Sequence, residues 1–188
     1  MTRGKRKKQG IGTVKSQDTL EKVVNTVFLS IGSNLGNRIH NIEKTKYLIF
    51  ENNINVKKIS SYYETPSWPD QRFPKYLNII LKINTKLSLN KLFLFLKSVE
   101  RKIGRKASKK NFPRVCDIDI IDFNKKIYHI NKKDLNIIIP HPRMEFRNFV
   151  LFPLHEIEKN WKHAKTRENI QKLLSKLPIN SIRSIKVI

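Results

Sequence analysis

Between residues 26 and 123 the hydrophobic pattern changes period in the order strand, helix, strand, strand, helix, strand, and that order restricts the fold more than any other feature of the chain. Residues 26–31 (TVFLSI) are an apolar run rich in β-formers, followed by the turn cluster Gly32-Ser33-Asn34-Leu35-Gly36-Asn37, which also supplies a helix cap. Ile39, Ile42, Leu48 and Ile49, with Tyr47, then recur at helical spacing as far as Glu51, while Arg38, Glu43, Lys44 and Lys46 take much of the remainder. Residues 54–63 alternate loosely as a second strand, stopped by Pro66, and residues 76–85 (YLNIILKINT) alternate as a third. The second helix is predicted over 89–103, with Leu89, Leu92, Phe93, Leu96, Val99 and Ile103 on one stripe, Ser88 as cap and Gly104 at its end. Residues 115–123 (VCDIDIIDF) complete the series as a fourth strand. Such a β-α-β-β-α-β unit predicts an α+β, ferredoxin-like fold: a four-stranded antiparallel sheet with both helices on one face. Further on, residues 137–139 and 182–188 read as short strands, and 148–157 and 168–177 as helices, together a C-terminal extension.

A chain of 188 residues with 39% hydrophobic composition has enough apolar material for one core, so residues 26–188 are expected to form a single domain. The first 25 residues differ: Arg3, Lys5, Arg6, Lys7 and Lys8 crowd together, Gly4, Gly10 and Gly12 interrupt, and no apolar periodicity appears. Residues 1–25 are therefore predicted to be a basic, disordered tail, either a solvating arm or a contact for nucleic acid or a membrane surface. The net charge of +24 favours acidic partners, among them nucleic acid, anionic lipid or a small polyphosphate, although lysines on solvated faces account for much of it. No apolar stretch approaches the length of a spanning helix, and residues 1–10 are basic with no apolar segment behind them, so no membrane-spanning role is expected. The lone Cys116 supports neither a disulfide framework nor a cysteine-based zinc site, and points to the reducing cytoplasm.

Asp117 and Asp119 stand two apart in an otherwise apolar strand, whose period of two puts both carboxylates on one face. Like charges in such a strand call for cations, and a hard divalent ion such as Mg²⁺ is the simplest. An ordinary ion pair with Arg114 or Lys110 at the strand end is the alternative. Asp122 is expected to face the other way, in a structural role. Arg105, Lys106, Lys109, Lys110 and Arg114 arrive just before the acidic pair, and His141, Arg143 and Arg147 follow a later loop. Guanidinium groups beside Mg²⁺ are what a transferring phosphoryl group needs, although a basic loop taken alone is usually just solvated. No P-loop is present, since residues 32–36 lack its lysine. Trp68, Phe73 and Tyr76, near the polar Thr65 and Asn78, suit a planar heteroaromatic ligand, or else ordinary core packing.

Six motifs occur in order: residues 29–38 (LSIGSNLGNR), 60–66 (SSYYETP), 76–78 (YLN), Glu100 with Gly104-Arg105, Pro113-Arg114 with 117–120 (DIDI), and 140–143 (PHPR) with 147–151 (RNFVL). Together they resemble the 6-hydroxymethyl-7,8-dihydropterin pyrophosphokinases of folate synthesis. The resemblance implies Mg²⁺-dependent transfer of pyrophosphate from ATP to the hydroxymethyl group of 6-hydroxymethyl-7,8-dihydropterin, releasing AMP. It implies that Asp117 and Asp119 hold two Mg²⁺ ions, that Arg105 and Arg114 act with them at the reacting centre, and that Glu100, Arg105, Arg114, His141 and Arg147 bind ATP. For the pterin it implies Thr65, Pro66, Trp68, Tyr76, Asn78 and Phe149, with Tyr76 and Phe149 on the two sides of the ring. Asn111-Phe112 stand where many relatives carry Trp-Gly, and Ala107 and Lys97 differ from common family residues, so no role is carried over to them. The residue types also permit an RNA-recognition module, but no aromatic RNP1-like strand is present, and Asp117 and Asp119 would repel phosphate without a metal.

Overall fold

The computed structural model describes residues 23–68, 70–106, 112–132 and 135–188. Its elements run β1 (Asn25–Ser33), α1 (Arg38–Glu51), β2 (Asn55–Ile59), β3 (Tyr63–Thr65), β4 (Tyr76–Thr85), α2 (Leu89–Lys102), β5 (Asp117–Phe123), β6 (Tyr128–Lys132), β7 (Leu135–Ile139), a 3₁₀ turn (Met144–Phe146), α3 (Asn148–Ile157), α4 (Ile170–Ser175), α5 (Ile179–Ser184) and β8 (Lys186–Val187). The expected basic tail lies outside the described residues except at its end, where Asn25 already belongs to β1.

Strand β1 is the axis of the sheet. It pairs antiparallel with β4 along its whole length and with β5 on its other side. Alternate residues of β1 serve two cores. Val27, Leu29 and Ile31 pack on one face with Ile42 and Ile49 of α1 and Leu92, Leu96 and Val99 of α2. Phe28 faces the other way, into a second cluster with Ile80, Ile121, Val150, Leu151, Leu154, Trp161, Ile170 and Leu173. Both faces of the sheet are thus covered, and each fully buried aliphatic side chain contributes about 1.5–3 kcal/mol. The first two helices share one face as expected, while α3 and α4 of the C-terminal extension cover the opposite one.

The sheet has six strands rather than the four expected, in the order β5-β1-β4-β3-β8 with β2 also paired to β4. The predicted strand over 54–63 is divided where side chains take backbone donors that a ladder would use, the Ser60 hydroxyl that of Ile80 and the Glu156 carboxylate that of Ser61. Ser60 Oγ accepts from the Ile80 amide at 2.9 Å, and Glu156 of α3 accepts from the Ser61 amide and hydroxyl, each at 2.9 Å. Polar side chains that offer the backbone such partners compete with the ladder. The sixth strand, β8, pairs with the free edge of β3, so only part of the strand predicted over 182–188 forms and α5 takes its beginning. The small sheet of β6 and β7 was legible only in its second strand. The predicted helix at 148–157 forms as α3, and that at 168–177 shortens to α4, whose Asn169 side chain caps Lys172 N at 2.8 Å.

Asp122 is structural, as expected, but it faces the same side as Asp119. Phe28 pairs with Asp122 and Leu29 with Ile120, so Ile121 is the extra residue of a bulge that resets the alternation. Its two oxygens accept from Lys125 N at 2.7 Å and from Trp161 Nε1 at 2.8 Å, and burial raises its pKa despite both donors. Replacing Trp161 with Phe removes one donor from this buried carboxyl. The variant is expected to lose about 1–3 kcal/mol of stability, read as a lower urea midpoint at unchanged slope.

Candidate active site

The predicted residues converge at the end of β1 where the chain turns into α1. In register, Gly32 lies between Asn78 of β4 and Asp117 of β5. A Cβ at Gly32 would stand 2.9 Å from Asn78 Oδ1 and 3.5 Å from Tyr76 Cδ1, so glycine here is what lets those side chains fold over the strand. Asn78 is buried and donates from Nδ2 to Thr65 Oγ1 at 3.2 Å and to the Tyr63 carbonyl at 3.4 Å. The result is a fixed amide beside a half-buried tyrosine ring, and burial raises the Tyr76 pKa. Pro66 is partly buried next to Thr65. Ser67, which follows it, is buried with no hydrogen-bond partner for its hydroxyl among the described residues. Trp68 is 67% exposed and adds no buried wall.

Asn34 ties this turn to the neighbouring loops. Its amide and side-chain oxygen bond the Arg114 backbone at 3.2 and 2.8 Å, and its Nδ2 donates to the Pro74 carbonyl at 3.1 Å. The rings of Phe73 and Phe112 meet at 5.6 Å, so the loops before β4 and before β5 touch above the sheet end.

The acidic pair projects from the face of β5 opposite the buried Ile118 and Ile120, with side chains 28% and 32% exposed. Asp117 accepts from Arg105 Nη1 at 2.7 Å and from Arg114 Nη1 at 3.0 Å, one guanidinium on each oxygen. Asp119 Oδ2 accepts from Arg147 Nη1 at 3.3 Å and lies 3.9 Å from His141 Nε2. Its Oδ1 has no partner among the described residues. His141 Nδ1 accepts from the Arg143 amide at 3.1 Å, which leaves the proton on Nε2, toward the Asp119 carboxylate. Burial lowers the pKa of His141 and of Arg147, with Asp119 opposing both shifts.

Glu100, on α2, is only 3% exposed and supports the pair from beneath. It accepts from the Ile118 amide at 2.8 Å and from Lys97 Nζ at 2.9 Å, and forms an ion pair with Arg105. Burial raises its pKa against the pull of these cations. Arg105 is therefore held by two carboxylates, which outweigh its own burial and raise its pKa. Phe149, at the start of α3, lies under the Arg147 guanidinium at 5.4 Å, a cation–π arrangement.

A half-open cavity of about 330 Å³ adjoins Asp119 and His141. Phe93, Leu96, Ile118, Ile120 and Ile137 give it apolar walls, and Lys97 and Asn136 polar ones. Phe93, Lys97 and Asn136 were not predicted as site residues. Only the helical stripe through Phe93 could have signalled them, since β7 meets α2 through tertiary packing. Among the described residues no three metal-ligating side chains cluster. Two carboxylates without a third protein ligand still suit Mg²⁺, which keeps several waters and completes its shell with substrate phosphates.

A family model for 7,8-dihydro-6-hydroxymethylpterin-pyrophosphokinase (HPPK) matches residues 28–159. The 2-amino-4-hydroxy-6-hydroxymethyldihydropteridine pyrophosphokinase of Aquifex aeolicus is 38% identical over 146 residues, covering 78% of this chain and 88% of that protein. The chain belongs to this family. The pyrophosphokinase of Bacillus subtilis is 33% identical and covers 76% of the chain and 86% of its own length. The folic acid synthesis protein of Dictyostelium discoideum is 35% identical over 82% of the chain, which spans only 23% of that larger protein. A Plasmodium falciparum HPPK-DHPS crystallised with pterin and p-hydroxybenzoate superposes with TM-score 0.69 at 15% identity, over 90% of this chain and 48% of that one. The chain is thus an HPPK-family transferase of folate synthesis, with the α+β, antiparallel-sheet fold of those structures. Among the described residues no helix is long and apolar enough to cross a membrane.

Gly32→Ala tests the close approach at the sheet end. The added methyl must displace Asn78, so the variant is expected to lose about 1–3 kcal/mol in urea unfolding, as overpacking does, and to bind pterin more weakly than the parent in a calorimetric titration.

Proposed function

We propose that this site transfers pyrophosphate from ATP to the hydroxymethyl oxygen of 6-hydroxymethyl-7,8-dihydropterin, with Asp117 and Asp119 holding two Mg²⁺ ions between the substrates. The observation that carries the reading is the pair of same-face carboxylates on β5, ringed by Arg105, Arg114, Arg147 and His141. Bound Mg²⁺ would neutralise charge on the ATP phosphates and orient them for in-line displacement. The remaining contributions come from side chains of the chain itself.

In the reaction, the hydroxymethyl oxygen gives up its proton to solvent and forms a bond to the β-phosphorus, the bond from that phosphorus to the α,β-bridging oxygen breaks, and AMP leaves with that oxygen. Arg105 and Arg114 exchange the oxygens of Asp117 for phosphate oxygens, since the same planar fork fits either anion. Arg147 and the Nε2–H of His141 take further phosphate oxygens, so that charge spread over the reacting phosphoryl group meets preset donors. Glu100 keeps Arg105 in place from a buried position and pairs with Lys97, which borders the nucleotide cavity. That cavity is sized and walled for an adenine ring between Phe93, Ile120 and Ile137, with Lys97 and Asn136 as polar edges.

On the other side of the acidic pair, Asn78 and Thr65 offer a fixed amide and hydroxyl to the polar edge of the pterin, and Pro66 and Trp68 border it. Tyr76 and Phe149 supply the flat apolar faces for its ring. Ser67 adds a hydroxyl that lacks a partner among the described residues. A reducing, cytoplasmic setting belongs to the same reading, because Cys116 is a buried free thiol whose pKa burial pushes up to about 12.

The test is product analysis. With Mg²⁺, ATP and 6-hydroxymethyl-7,8-dihydropterin the protein is expected to release AMP, and chelation of the metal should stop turnover. ADP as the product would overturn the reading. Asp117→Ala and Asp119→Ala should each lower kcat by about 10²-fold or more with the fold retained by circular dichroism, and full activity in either would remove the metal-holding role.

A further inference from the structure

We infer that His163 is a positioning residue for ATP, acting through Glu145 on the segment that carries His141 and Arg147. The inference rests on the reading that these two side chains engage the nucleotide.

Residues 141–147 form a tight turn: the Met144 amide donates to the His141 carbonyl at 3.0 Å and the Arg147 amide to the Met144 carbonyl at 3.1 Å. Both ends of the turn reach Asp119, and Met144 is fully buried in the second core. Glu145, in the middle, points its carboxylate at His163 Nε2, 3.4 Å away. His163 is 4% exposed, so this carboxylate is met by a fixed ring rather than by a mobile surface group.

The ring's orientation is set from its other side. His163 Nδ1 accepts from the Thr166 amide at 3.1 Å, which assigns the ring proton to Nε2, toward Glu145. The His163 backbone is held in turn, its amide donating to the Glu168 carbonyl at 2.9 Å and its carbonyl accepting from Arg167 N at 2.8 Å. Arg167 holds φ at 63°, a left-handed backbone that costs a non-glycine residue about 1 kcal/mol or more and persists only where its surroundings enforce it. The His163 ring stands edge-on to Trp161 at 5.8 Å, and Trp161 donates to Asp122.

These contacts close a circuit on one strand. From Asp119 it runs through the 141–147 turn to Glu145, across to His163 and Trp161, and back to β5 at Asp122. Side chains at the far end of the second core thereby fix the height of the Arg147 guanidinium and the His141 ring over the acidic pair. None of the circuit beyond Asp119, His141 and Arg147 lines the cavity at the acidic pair, so its effect on the reaction passes through position.

The experiment measures binding of Mg·ATP and, separately, of the pterin to the full chain by titration calorimetry, which needs no turnover. Glu145→Ala and His163→Phe are each expected to weaken Mg·ATP binding about fivefold and to leave pterin binding unchanged, a loss typical of residues in contact. Glu145→Gln, which keeps an oxygen for the Nε2 proton, should stay within about twofold of the parent, and the double variant should be no weaker than either single one. Unchanged Mg·ATP binding in Glu145→Ala, equal loss for both substrates, or additive losses of about 25-fold in the double variant would overturn the inference. A parent that binds Mg·ATP but releases no AMP would instead reject the proposed reaction and leave this test intact. A parent that binds no Mg·ATP would overturn both.

Discussion

Two carboxylates on alternate residues of one strand repel each other, and the arrangement of this protein's cleft follows from their need for neutralising cations. Asp117 meets a guanidinium on each oxygen, drawn from the segments just before β5. Asp119 meets Arg147, brought back from beyond β7. Holding Arg105 requires a further carboxylate, Glu100, buried on α2 and bonded to the β5 backbone. Taking such a charge out of water is tolerable only because three donors surround it. The basic segments before and after β5 thus serve one purpose in the free protein and, on the proposed reading, another when phosphates arrive.

The second constraint is steric. Gly32 lets Asn78 and Tyr76 lie across β1, and the row Asn78, Gly32, Asp117 places a fixed amide and an acid on the two strands that flank β1 at one sheet end. A larger residue at 32 would push Asn78 and Tyr76 off β1 and away from the acidic pair. Sheet register thereby sets the distance between the proposed pterin and metal positions, and the covering helices on both faces keep that register from slipping.

Much of this was legible in the sequence because it rests on local periodicity. The two helices of the first core and the strand over 76–85 follow directly from spacing, and the same-face placement of Asp117 and Asp119 follows from a period of two. The departures come from long-range contacts. Ser60 and Ser61 break a strand only because Ile80 and Glu156 are near in space. Asp122 changes face because β1 and β5 pair through a bulge at Ile121. The cavity of Phe93, Lys97 and Asn136 arises where α2 meets β7, and no spacing within either segment announces it. The family motifs located the acidic pair and its arginines but gave no role to Asn34, which they contain, and did not reach His163.

The pairing of β3 with β8 bears on synthesis as well as on the finished protein. β3 carries Thr65 at the mouth of the cleft, yet its outer edge is covered by residues 186–187, and the Ile188 amide donates to the Tyr62 carbonyl at 3.0 Å. A nascent chain that has already folded β1, β4 and β5 on the ribosome still presents β3 as an open edge until residues 186–188 have left the exit tunnel. During that interval a neighbouring nascent chain can add its own strand there, so a ribosome that stalls before this segment emerges would favour intermolecular pairing at that edge.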